Sequence, residues 1–461
     1  MTAPKIAFIG VGSANFGPTT LATLIREPKL RGAELALIDL NGEALESVRL
    51  VAERMNEAWE AEMTIRASTD RRDLLPGCDF VILSVEVPPR EELWRLDYEI
   101  TLRHDLRQPF AENGGPGGLL HTCRQVPPIM AIVADMEAMC PDAWLINFSN
   151  PLPRLTRAIT KYSGIKAVGK CHQINVAYGI VAVLLRERYG IDVPPDLHLH
   201  SDPSNAPTVM QYNALGRRYT KIKSAGLNHF IWLLDARDRV SGEDLYPALR
   251  QALADVPPDF EPLSMDLFRV FDLCPIPGDT HLAEYLPWLH DPIARPWERY
   301  DIPLLNWGEN EMTRVFLAQM MQQMASGEIH VNGMREATSE GAVELITAIF
   351  FNEDRYEETV NIPNYGAIPG LPDETIVELP ALVNGLGIQG MRFEPLPAPV
   401  TELLRREAAL VEMVVDTAVC GDRDLALQTL LLDPMINDID RARAILDDYL
   451  GAFAAYLPQF A

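Results

Sequence analysis

Cysteine, long apolar segments and positive charge are all scarce in this sequence of 461 residues. Its six cysteines are scattered along the chain and lack the spacing of a disulfide framework. No apolar run approaches the roughly 18 residues that a membrane-spanning helix needs. The first residues, MTAPKIAFIGVGS, lack the charged and apolar regions of a signal peptide. These absences predict a reduced, cytoplasmic protein with no membrane partner.

The charge balance narrows the range of partners. Net charge is −25, from 65 acidic and 40 basic residues. Because this surplus repels phosphate backbones and anionic lipids, we expect no nucleic-acid partner. An apolar content of 48% is that of a globular protein, and the length allows two or three domains.

The first part of the chain alternates short apolar segments with helical patterns. KIAFIG, ELALIDL, DFVILSV and WLINFSN have the composition of buried strands. Helical patterns cover Gly42 to Glu57 and Val126 to Met139. This alternation predicts a parallel sheet with helices on both faces.

Beyond about residue 195 the pattern changes. LHLHSD, TVMQYNAL and RRYTKIKSAGLNHFIWLLDA are typical of strands in a mixed or antiparallel sheet. After about residue 245 the chain is expected to be mainly helical, with strong helices over Glu402 to Val419 and Asp438 to Tyr456.

A glycine-containing loop, FIGVGSANFG, follows the first predicted strand and should open the first helix. Gly10 and Gly12 would provide the tight turn and the close backbone approach that a pyrophosphate needs. The usual third glycine is missing, because Asn15 stands there and the next glycine is Gly17. Asp39 ends the second strand, where a carboxylate binds ribose hydroxyls and favours NAD over NADP. The predicted cofactor-binding residues are Gly10, Gly12, Ser13, Asn15, Phe16 and Asp39. A strand–turn–helix junction without a ligand is the alternative.

Polar side chains follow several predicted strands, where ligands of open parallel sheets bind. NFSNP contains Asn150, VGKCHQ contains Cys171 and His172, and GLNHF contains Asn228 and His229. A thiolate, an imidazole and an amide oxygen together suit Mn²⁺, Co²⁺ or Zn²⁺. Alternatively, Cys171 is packing material and His229 a core histidine, since residues so far apart in sequence need not meet.

The segment ENGGPGGLLHTCRQVPP, residues 112–128, concentrates glycine. Four glycines around Pro116 predict a loop against a cofactor or sugar, ahead of a helix that begins near Leu119. A plain surface loop is the alternative. In LHLHSD, His198 and His200 could bind a metal, but the polar face of a half-buried strand explains them more simply.

Together these motifs resemble glycoside hydrolase family 4. The likeness rests on the order of GxGS, GPGG followed by Arg124, NFSNP, the Cys-His pair and GLNH, and on SEGAVELITAI and VNIPNYGAIPGLPDETIVELP further on. It implies an α/β fold: a Rossmann-type domain like that of lactate and malate dehydrogenases (1–195), then an α+β domain with a mixed sheet and C-terminal helices (196–461). It also implies NAD, a divalent metal such as Mn²⁺ or Co²⁺, a small-molecule glycoside substrate and a homodimer or homotetramer.

The resemblance further implies a glycosidase that does not use two carboxylates. NAD⁺ would oxidise C3 of the sugar, a base would remove the C2 proton, the aglycone would leave by elimination, and water addition and re-reduction would follow. Cys171 and His229 match the family's metal ligands. The residues expected to bind substrate are Asn150, Glu112, Asn113, Arg90 and Asn228. Other members often have Asp-Thr in place of Glu112 and Asn113, which leaves the roles of these two open.

For the general acid and for the base that removes the C2 proton, the sequence offers more than one assignment. His172 stands where members that cleave phosphorylated sugars have aspartate, so it is either the general acid or an orienting group. In PIPGDTHLAEYLPW, Asp279 is the favoured base and Tyr285 the second choice; either could instead cap a helix that starts near Thr280.

The expected substrate is an unphosphorylated α-glycoside, an α-galactoside or α-hexuronide. No phosphate-binding cluster is evident, although five arginines could meet a uronate: Arg90, Arg95, Arg103, Arg107 and Arg124. Two alternatives are an NAD-dependent dehydrogenase of a 2-hydroxy acid or sugar alcohol, and a non-catalytic nucleotide- or sugar-binding protein.

Overall fold

A computed structural model describes residues 3–13, 16–194, 197–199, 206–304 and 307–461. The strands in these ranges are β1 (Lys5–Ile9), β2 (Glu34–Ile38), β3 (Thr64–Ser68), β4 (Phe80–Leu83), β5 (Trp144–Asn147), β6 (Lys166–Gly169), β7 (Thr220–Leu227), β8 (Phe230–Asp238), β9 (Cys274–Pro275), β10 (Arg355–Pro363), β11 (Ile376–Asn384) and β12 (Gly387–Gly390).

The α-helices of the described ranges separate these strands. They are α1 (Gly17–Arg26), α2 (Gly42–Ala58), α3 (Arg90–Arg103), α4 (Gly115–Met139), α5 (Leu152–Tyr162), α6 (Ile174–Leu184), α7 (Arg186–Tyr189), α8 (Ala206–Tyr219), α9 (Tyr246–Ala252), α10 (Pro262–Phe271), α11 (Asp279–Leu282), α12 (Pro296–Arg299), α13 (Trp307–Ser326), α14 (Ala342–Phe350), α15 (Ala398–Cys420), α16 (Arg423–Leu432) and α17 (Ile439–Ala452).

The strands form one continuous sheet. The first six pair in parallel in the order β3–β2–β1–β4–β5–β6. The sheet then continues in antiparallel fashion through β10, β11, β7, β8 and β9, with β12 on β11. Its inner parallel strands are almost entirely buried, because helices cover both faces. The predicted Rossmann-type arrangement is confirmed.

One row of register partners crosses the junction between the parallel and antiparallel parts. Gly169 pairs with Asn361, Asn361 with Glu378, and Glu378 with Gly226. A Cβ on Gly169 would lie 2.9 Å from Cβ of Asn361, so glycine permits this close pairing. The row brings the end of β6 level with the turn between β7 and β8.

The predicted strands of the parallel region are confirmed, as are the helix over residues 42–58 and the two C-terminal helices. The structure adds β3, which carries little apolar signal because it lies at the edge of the sheet and is partly exposed.

The two hydrophobic core clusters do not coincide with the two predicted domains. The larger one runs from Ile6 to Leu457, and the smaller one is built around α6, β7, β8 and α10. The division at residue 195 stays a prediction.

Two predictions about local structure are wrong, and a third is confirmed. TVMQYNAL belongs to helix α8, where Tyr212 and Gly216 are buried and a Cβ on Gly216 would lie 2.0 Å from the Tyr178 carbonyl oxygen. The region after residue 245 is mainly helical, as predicted, and it also contains β9, β10, β11 and β12. In LHLHSD, residues 197–199 form no strand, and the remainder, with His200, lies outside the described residues.

The glycine cluster is also different from the expected loop. Helix α4 already begins at Gly115. A Cβ on Gly117 would lie 2.3 Å from Nε2 of Gln108, and one on Gly118 would lie 2.7 Å from the Asn113 carbonyl carbon. The glycines therefore let the first turn of α4 pack against the preceding segment. Among the described residues, no helix is both long and apolar enough to cross a membrane.

Candidate functional site

The glycine loop after β1 packs too tightly for side chains. A Cβ on Gly10, whose φ is +83°, would lie 2.0 Å from the Ser84 carbonyl oxygen. A Cβ on Gly17 would lie 2.2 Å from the Val11 carbonyl oxygen. Gly17 therefore lets the start of α1 approach the loop after β1 closely, which is the role of the third glycine in dinucleotide-binding loops. Asn15 lies outside the described residues.

The rest of this loop is arranged around Asp39. Gly12 N donates a hydrogen bond of 2.8 Å to Asp39 Oδ2, and a Cβ on Gly12 would lie 2.7 Å from that oxygen. Ser13 N donates to the Gly10 carbonyl, while the Phe16 ring packs 4.4 Å from that of Phe148. A loop with glycines at its close contacts, at the N-terminus of α1 and next to a carboxylate, fits the pyrophosphate and ribose of a dinucleotide.

The structure brings Cys171 and His229 together. Cys171 follows β6, and His229 lies in the two-residue turn between β7 and β8 with a φ of +38°. The distance from Cys171 Sγ to His229 Nε2 is 3.5 Å. A thiol and an imidazole nitrogen this close, at the carboxyl edge of a parallel sheet, fit a soft or borderline divalent cation. Whether these two side chains bind a metal stays a prediction.

The other ring nitrogen of His229 faces Glu112. Glu112 Oε2 lies 3.1 Å from His229 Nδ1 and accepts a hydrogen bond of 3.0 Å from Asn113 Nδ2. Burial lowers the pKa of His229, which favours the neutral imidazole that a metal ligand must be. The predicted pair Glu112 and Asn113 is therefore part of the site.

His281 completes this group, and sequence analysis assigned it no role. Its ring stacks on that of His229, with centroids 4.4 Å apart. Glu112, His229 and His281 each offer a ligand atom, and these atoms lie within 4.8 Å of one another. In the sequence, the feature that could have indicated a role for His281 was its position in the segment PIPGDTHLAEYLPW, between the candidate bases Asp279 and Tyr285.

His172 projects into solvent beside Cys171. Its side chain is 63% exposed, and Nδ1 lies 2.6 Å from Glu340 Oε1. The charge of Glu340 raises the pKa of His172 to about 9. Sequence analysis did not identify Glu340, although it lies in the quoted segment SEGAVELITAI, just before α14.

The two candidate bases have very different surroundings. The Asp279 carboxylate is buried at the N-terminus of α10, where it accepts hydrogen bonds from Leu263 N, Ser264 N and Ser264 Oγ at 2.6–2.8 Å. Burial, and then the charge of Glu261, raises the pKa of Asp279 to about 7. Asp279 thus caps a helix, but that helix is α10 and not the one that starts near Thr280.

Tyr285 is also buried, with its ring stacked on Phe230 at 4.8 Å. Its hydroxyl finds no hydrogen-bond partner among the described residues. Neighbouring Glu284 accepts hydrogen bonds from Asn113 N and Gly114 N, which ties this segment to the loop before α4.

All five arginines considered for an acidic sugar have other partners in the structure. Arg124 makes a buried bidentate ion pair with Asp97: Nη1 donates to Oδ1 at 2.9 Å and Nη2 to Oδ2 at 2.6 Å. Its guanidinium is therefore not available to a substrate. Three others pair with Glu99 (Arg95), Asp448 (Arg103) and the Ile302 carbonyl (Arg107). Arg90 lies over the Trp94 ring, 4.5 Å from its centroid, with Glu86 and Glu91 nearby.

The two predicted asparagines follow strands of the site. Asn150 Oδ1 accepts a hydrogen bond of 3.1 Å from Leu152 N and shapes the start of α5. Asn228 Nδ2 donates to Glu378 Oε2 at 2.6 Å. Neither contact excludes a sugar.

The chain is similar to several glycosidases of nearly equal length. The chain is 29% identical to an alpha-glucosidase of Erwinia rhapontici, over 96% of this chain and 97% of that protein. It is 27% identical to an alpha-galactosidase of Bacillus subtilis, over 99% of each protein, and 28% identical to an alpha-galacturonidase of the same organism, over 95% of each.

The fold is shared with a solved 6-phospho-alpha-glucosidase from gut microorganisms, in complex with NAD and Mn²⁺. That structure superposes with a TM-score of 0.76 at 19% identity and covers 100% of each chain.

Two family models match this chain. Residues 5–187 match that of Family 4 glycosyl hydrolase, and residues 224–436 match that of the Family 4 glycosyl hydrolase C-terminal domain. Since the two matches together cover most of the sequence, this protein belongs to family 4 of the glycosyl hydrolases.

Proposed function

We propose that this protein hydrolyses an unphosphorylated α-glycoside with NAD and a divalent metal ion, preferably Mn²⁺, at the site around Cys171 and His229. The approach of Cys171 Sγ to His229 Nε2, 3.5 Å at the end of β6, is the observation that carries this proposal. The glycine loop after β1 supports NAD, and the named glycosidases support the reaction class.

When bound, NAD⁺ accepts and returns the C3 hydride, and the divalent ion acts as a Lewis acid on the sugar oxygens. Cys171 and His229 would hold that ion. Glu112 fixes the orientation of His229, because its carboxylate lies 3.1 Å from Nδ1 and leaves Nε2 directed at Cys171. His281 stacks on the same ring and closes this side of the site.

His172 is the proposed general acid. Glu340 holds its Nδ1 at 2.6 Å, and the exposed ring leaves Nε2 free to donate a proton to the leaving glycosidic oxygen. If His172 is the acid, replacing it should slow substrates with poor leaving groups most, whereas loss of a merely orienting contact should slow good and poor leaving groups alike.

Tyr285 is the proposed base for the C2 proton because of the position of its hydroxyl, although burial raises its pKa well above the usual value. Its hydroxyl has no hydrogen-bond partner in the described part of the chain, whereas both carboxylate oxygens of Asp279 are held by the N-terminus of α10. We retain Asp279 as the second candidate, since a raised pKa of about 7 is suitable for a base.

The substrate is proposed to be an α-galactoside or an α-hexuronide. The relatives named for glucosides, galactosides and galacturonides support an unphosphorylated sugar. Arg124 is held by Asp97 in a buried pair, and we keep Arg90, which lies over the Trp94 ring and pairs with Glu86 and Glu91, as the candidate for binding a uronate. We also propose a homodimer or homotetramer, which light scattering on the purified protein tests.

The test is cleavage of p-nitrophenyl α-galactoside, α-glucoside, α-galacturonide and α-glucuronide in D₂O, with and without NAD⁺, Mn²⁺ and a reductant. We expect cleavage only when all three are present, with deuterium at C2 of the released sugar. NADH accumulation from hydroxy acids or free sugars without cleavage would contradict the proposal and favour a dehydrogenase.

Two cysteine variants form the matched pair for this assay. Cys171→Ser should lose cleavage by at least about a hundredfold, because a serine hydroxyl is a much weaker ligand for Mn²⁺ than a thiolate. Cys420→Ser, at the exposed end of α15, should retain the wild-type rate.

A further inference from the structure

Glu378 is a buried carboxylate on a central strand of the sheet, next to the strand that leads into the turn with His229. It lies on β11, its side chain has no solvent exposure, and its register partners are Asn361 on one side and Gly226 on the other. Gly226 is two residues before Asn228 and three before His229.

The hydrogen bonds of Glu378 join two asparagines. Glu378 Oε2 accepts from Asn228 Nδ2 at 2.6 Å and from Asn361 Nδ2 at 3.0 Å. In the described part of the chain, Glu378 Oε1 and Oδ1 of both asparagines are buried without a hydrogen-bond partner. Buried polar atoms are normally satisfied, so three such oxygens in one cluster indicate that the cluster serves something besides packing.

Asn228 connects this cluster to the proposed metal site. It directly precedes His229 in the two-residue turn between β7 and β8, and His229 Nε2 lies 3.5 Å from Cys171 Sγ. The hydrogen bond from Asn228 Nδ2 therefore joins the Glu378 carboxylate to the turn that carries His229.

No full positive charge in the described residues pairs with Glu378. Lys170 is close, but its ammonium donates to Glu357 Oε2 and to the Thr359 carbonyl, each at 2.7 Å. A carboxylate with no solvent exposure and no ion-pair partner is costly. A divalent cation between Cys171 and His229 would offset both the thiolate and this carboxylate.

We propose that Glu378 is a positioning residue for the divalent cation: it holds the Asn228 amide, and with it the turn that carries His229, and it supplies a second negative charge next to the site. This inference rests on the proposed function. It means that a residue on β11, far from the metal ligands in sequence, contributes to binding of the divalent cation.

The test measures binding of Mn²⁺ to the full-length protein in the presence of NAD⁺, by titration calorimetry and by the loss of the free Mn²⁺ signal in electron paramagnetic resonance. Glu378→Gln keeps the size of the side chain and removes its charge. We expect Mn²⁺ to bind about 10- to 100-fold more weakly, the range typical for groups that orient metal ligands. NAD⁺ affinity should stay within about twofold, and raised Mn²⁺ should restore kcat.

Glu407→Gln is the matched control. Glu407 is likewise buried, but it pairs with Arg154 at 3.6 Å and belongs to α15. Its removal should leave the affinity for Mn²⁺ unchanged, even if the protein becomes less stable. Glu378→Asp, which keeps the charge, should bind Mn²⁺ better than Glu378→Gln, and it carries the test if the glutamine variant does not fold.

Three outcomes overturn the inference. Unchanged Mn²⁺ affinity in Glu378→Gln shows that the carboxylate does not act on the site. An equal loss of Mn²⁺ and NAD⁺ affinity, without recovery at high Mn²⁺, shows a purely structural role. If the wild type binds no Mn²⁺ at all, the proposed function fails first, and the inference fails with it.

Discussion

The imidazole of His229 has a different neighbour at each of its two nitrogens. Nδ1 lies 3.1 Å from a Glu112 carboxylate oxygen and 2.9 Å from Asn113 Nδ2, and Nε2 lies 3.5 Å from Cys171 Sγ. Since a carboxylate accepts a hydrogen bond, it favours the proton on Nδ1 and leaves the Nε2 lone pair directed at the sulfur. The sequence could nominate Cys171 and His229, but the partner that orients the ring became visible only in three dimensions.

Replacing Tyr285 and Asp279 one at a time separates the two candidate bases. Tyr285→Phe removes a hydroxyl without a hydrogen-bond partner, so the free energy of unfolding should change by less than about 0.5 kcal/mol. If Tyr285 is the base, kcat and deuterium incorporation at C2 should fall at least about a hundredfold. Activity assays and urea denaturation of the same preparations measure both effects.

Asp279→Asn should show the opposite pattern. The change weakens the hydrogen bonds to the N-terminus of α10, which should cost about 1–3 kcal/mol of stability. The folded fraction should retain C2 exchange. Lost exchange in a stable Asp279→Asn protein, together with an active Tyr285→Phe protein, would restore Asp279 as the base.

His290 makes stability depend on pH. It is buried, its Nε2 lies 2.9 Å from the Ala283 carbonyl oxygen, and burial lowers its pKa from 6.5 to about 4. Because the unfolded chain binds this proton more readily, the contribution of His290 is complete above about pH 6.5 and is lost as pH falls towards 4. The full change amounts to at most about 3 kcal/mol.

The check compares urea denaturation of the wild type and His290→Gln between pH 4 and 7. Glutamine can donate to the same carbonyl but does not titrate. The difference between the two proteins in free energy of unfolding should therefore shift by about 2–3 kcal/mol across this window. A constant difference would show that His290 does not titrate differently in the folded state.

At the scale of elements, the junction of β1 and α1 depends on glycine at the start of the helix. Gly17→Ala would place a Cβ 2.2 Å from the Val11 carbonyl oxygen and force the helix away from the strand. We expect NAD⁺ affinity to fall at least about tenfold and stability to fall by about 1–3 kcal/mol. Calorimetric titration with NAD⁺ and urea denaturation measure the two effects.

Gly42→Ala is the control for this element. Gly42 likewise begins a helix, α2, but a Cβ there would meet only Cγ2 of Thr69, at 3.8 Å. Alanine should be neutral or slightly stabilising at this position, with NAD⁺ affinity unchanged. Wild-type NAD⁺ affinity in Gly17→Ala would show that the loop tolerates a wider separation of strand and helix.

At the scale of the whole molecule, the two halves of the chain share one sheet and one large core. β10 pairs with β6, and α15 packs along α4 and α5. The larger core cluster contains residues from Ile6 to Leu457. The N-terminal half therefore depends on late elements to cover apolar surface.

A fragment of residues 1–195 tests the predicted domain division. Without α15, the apolar faces of α4 and α5 are exposed, so we expect the fragment to bind a hydrophobic dye and to unfold without a cooperative transition. The full chain should unfold cooperatively and bind little dye. Cooperative unfolding of the fragment would instead support an independent domain that ends near residue 195.

The sequence by itself determined the parallel half of the fold and the outline of the site. Continuous apolar runs specify strands covered on both faces, and the helix period specifies α2, α15 and α17, because both signals are local. Glycine loops and polar residues after strands mark the edge where ligands bind. Cys171 and His229 could be named for that reason, whereas Glu112 was named from the resemblance to the family.

Only the tertiary structure decided which distant residues meet. Glu340, His281 and Glu378 reach the site from separate segments, and no local spacing connects them to Cys171. Arg124 has the charge of a ligand for acidic sugars, but Asp97 holds it in a buried pair. Helix α8 and strands β10 to β12 were also decided by packing, since short apolar segments suit either structure until their neighbours are in place.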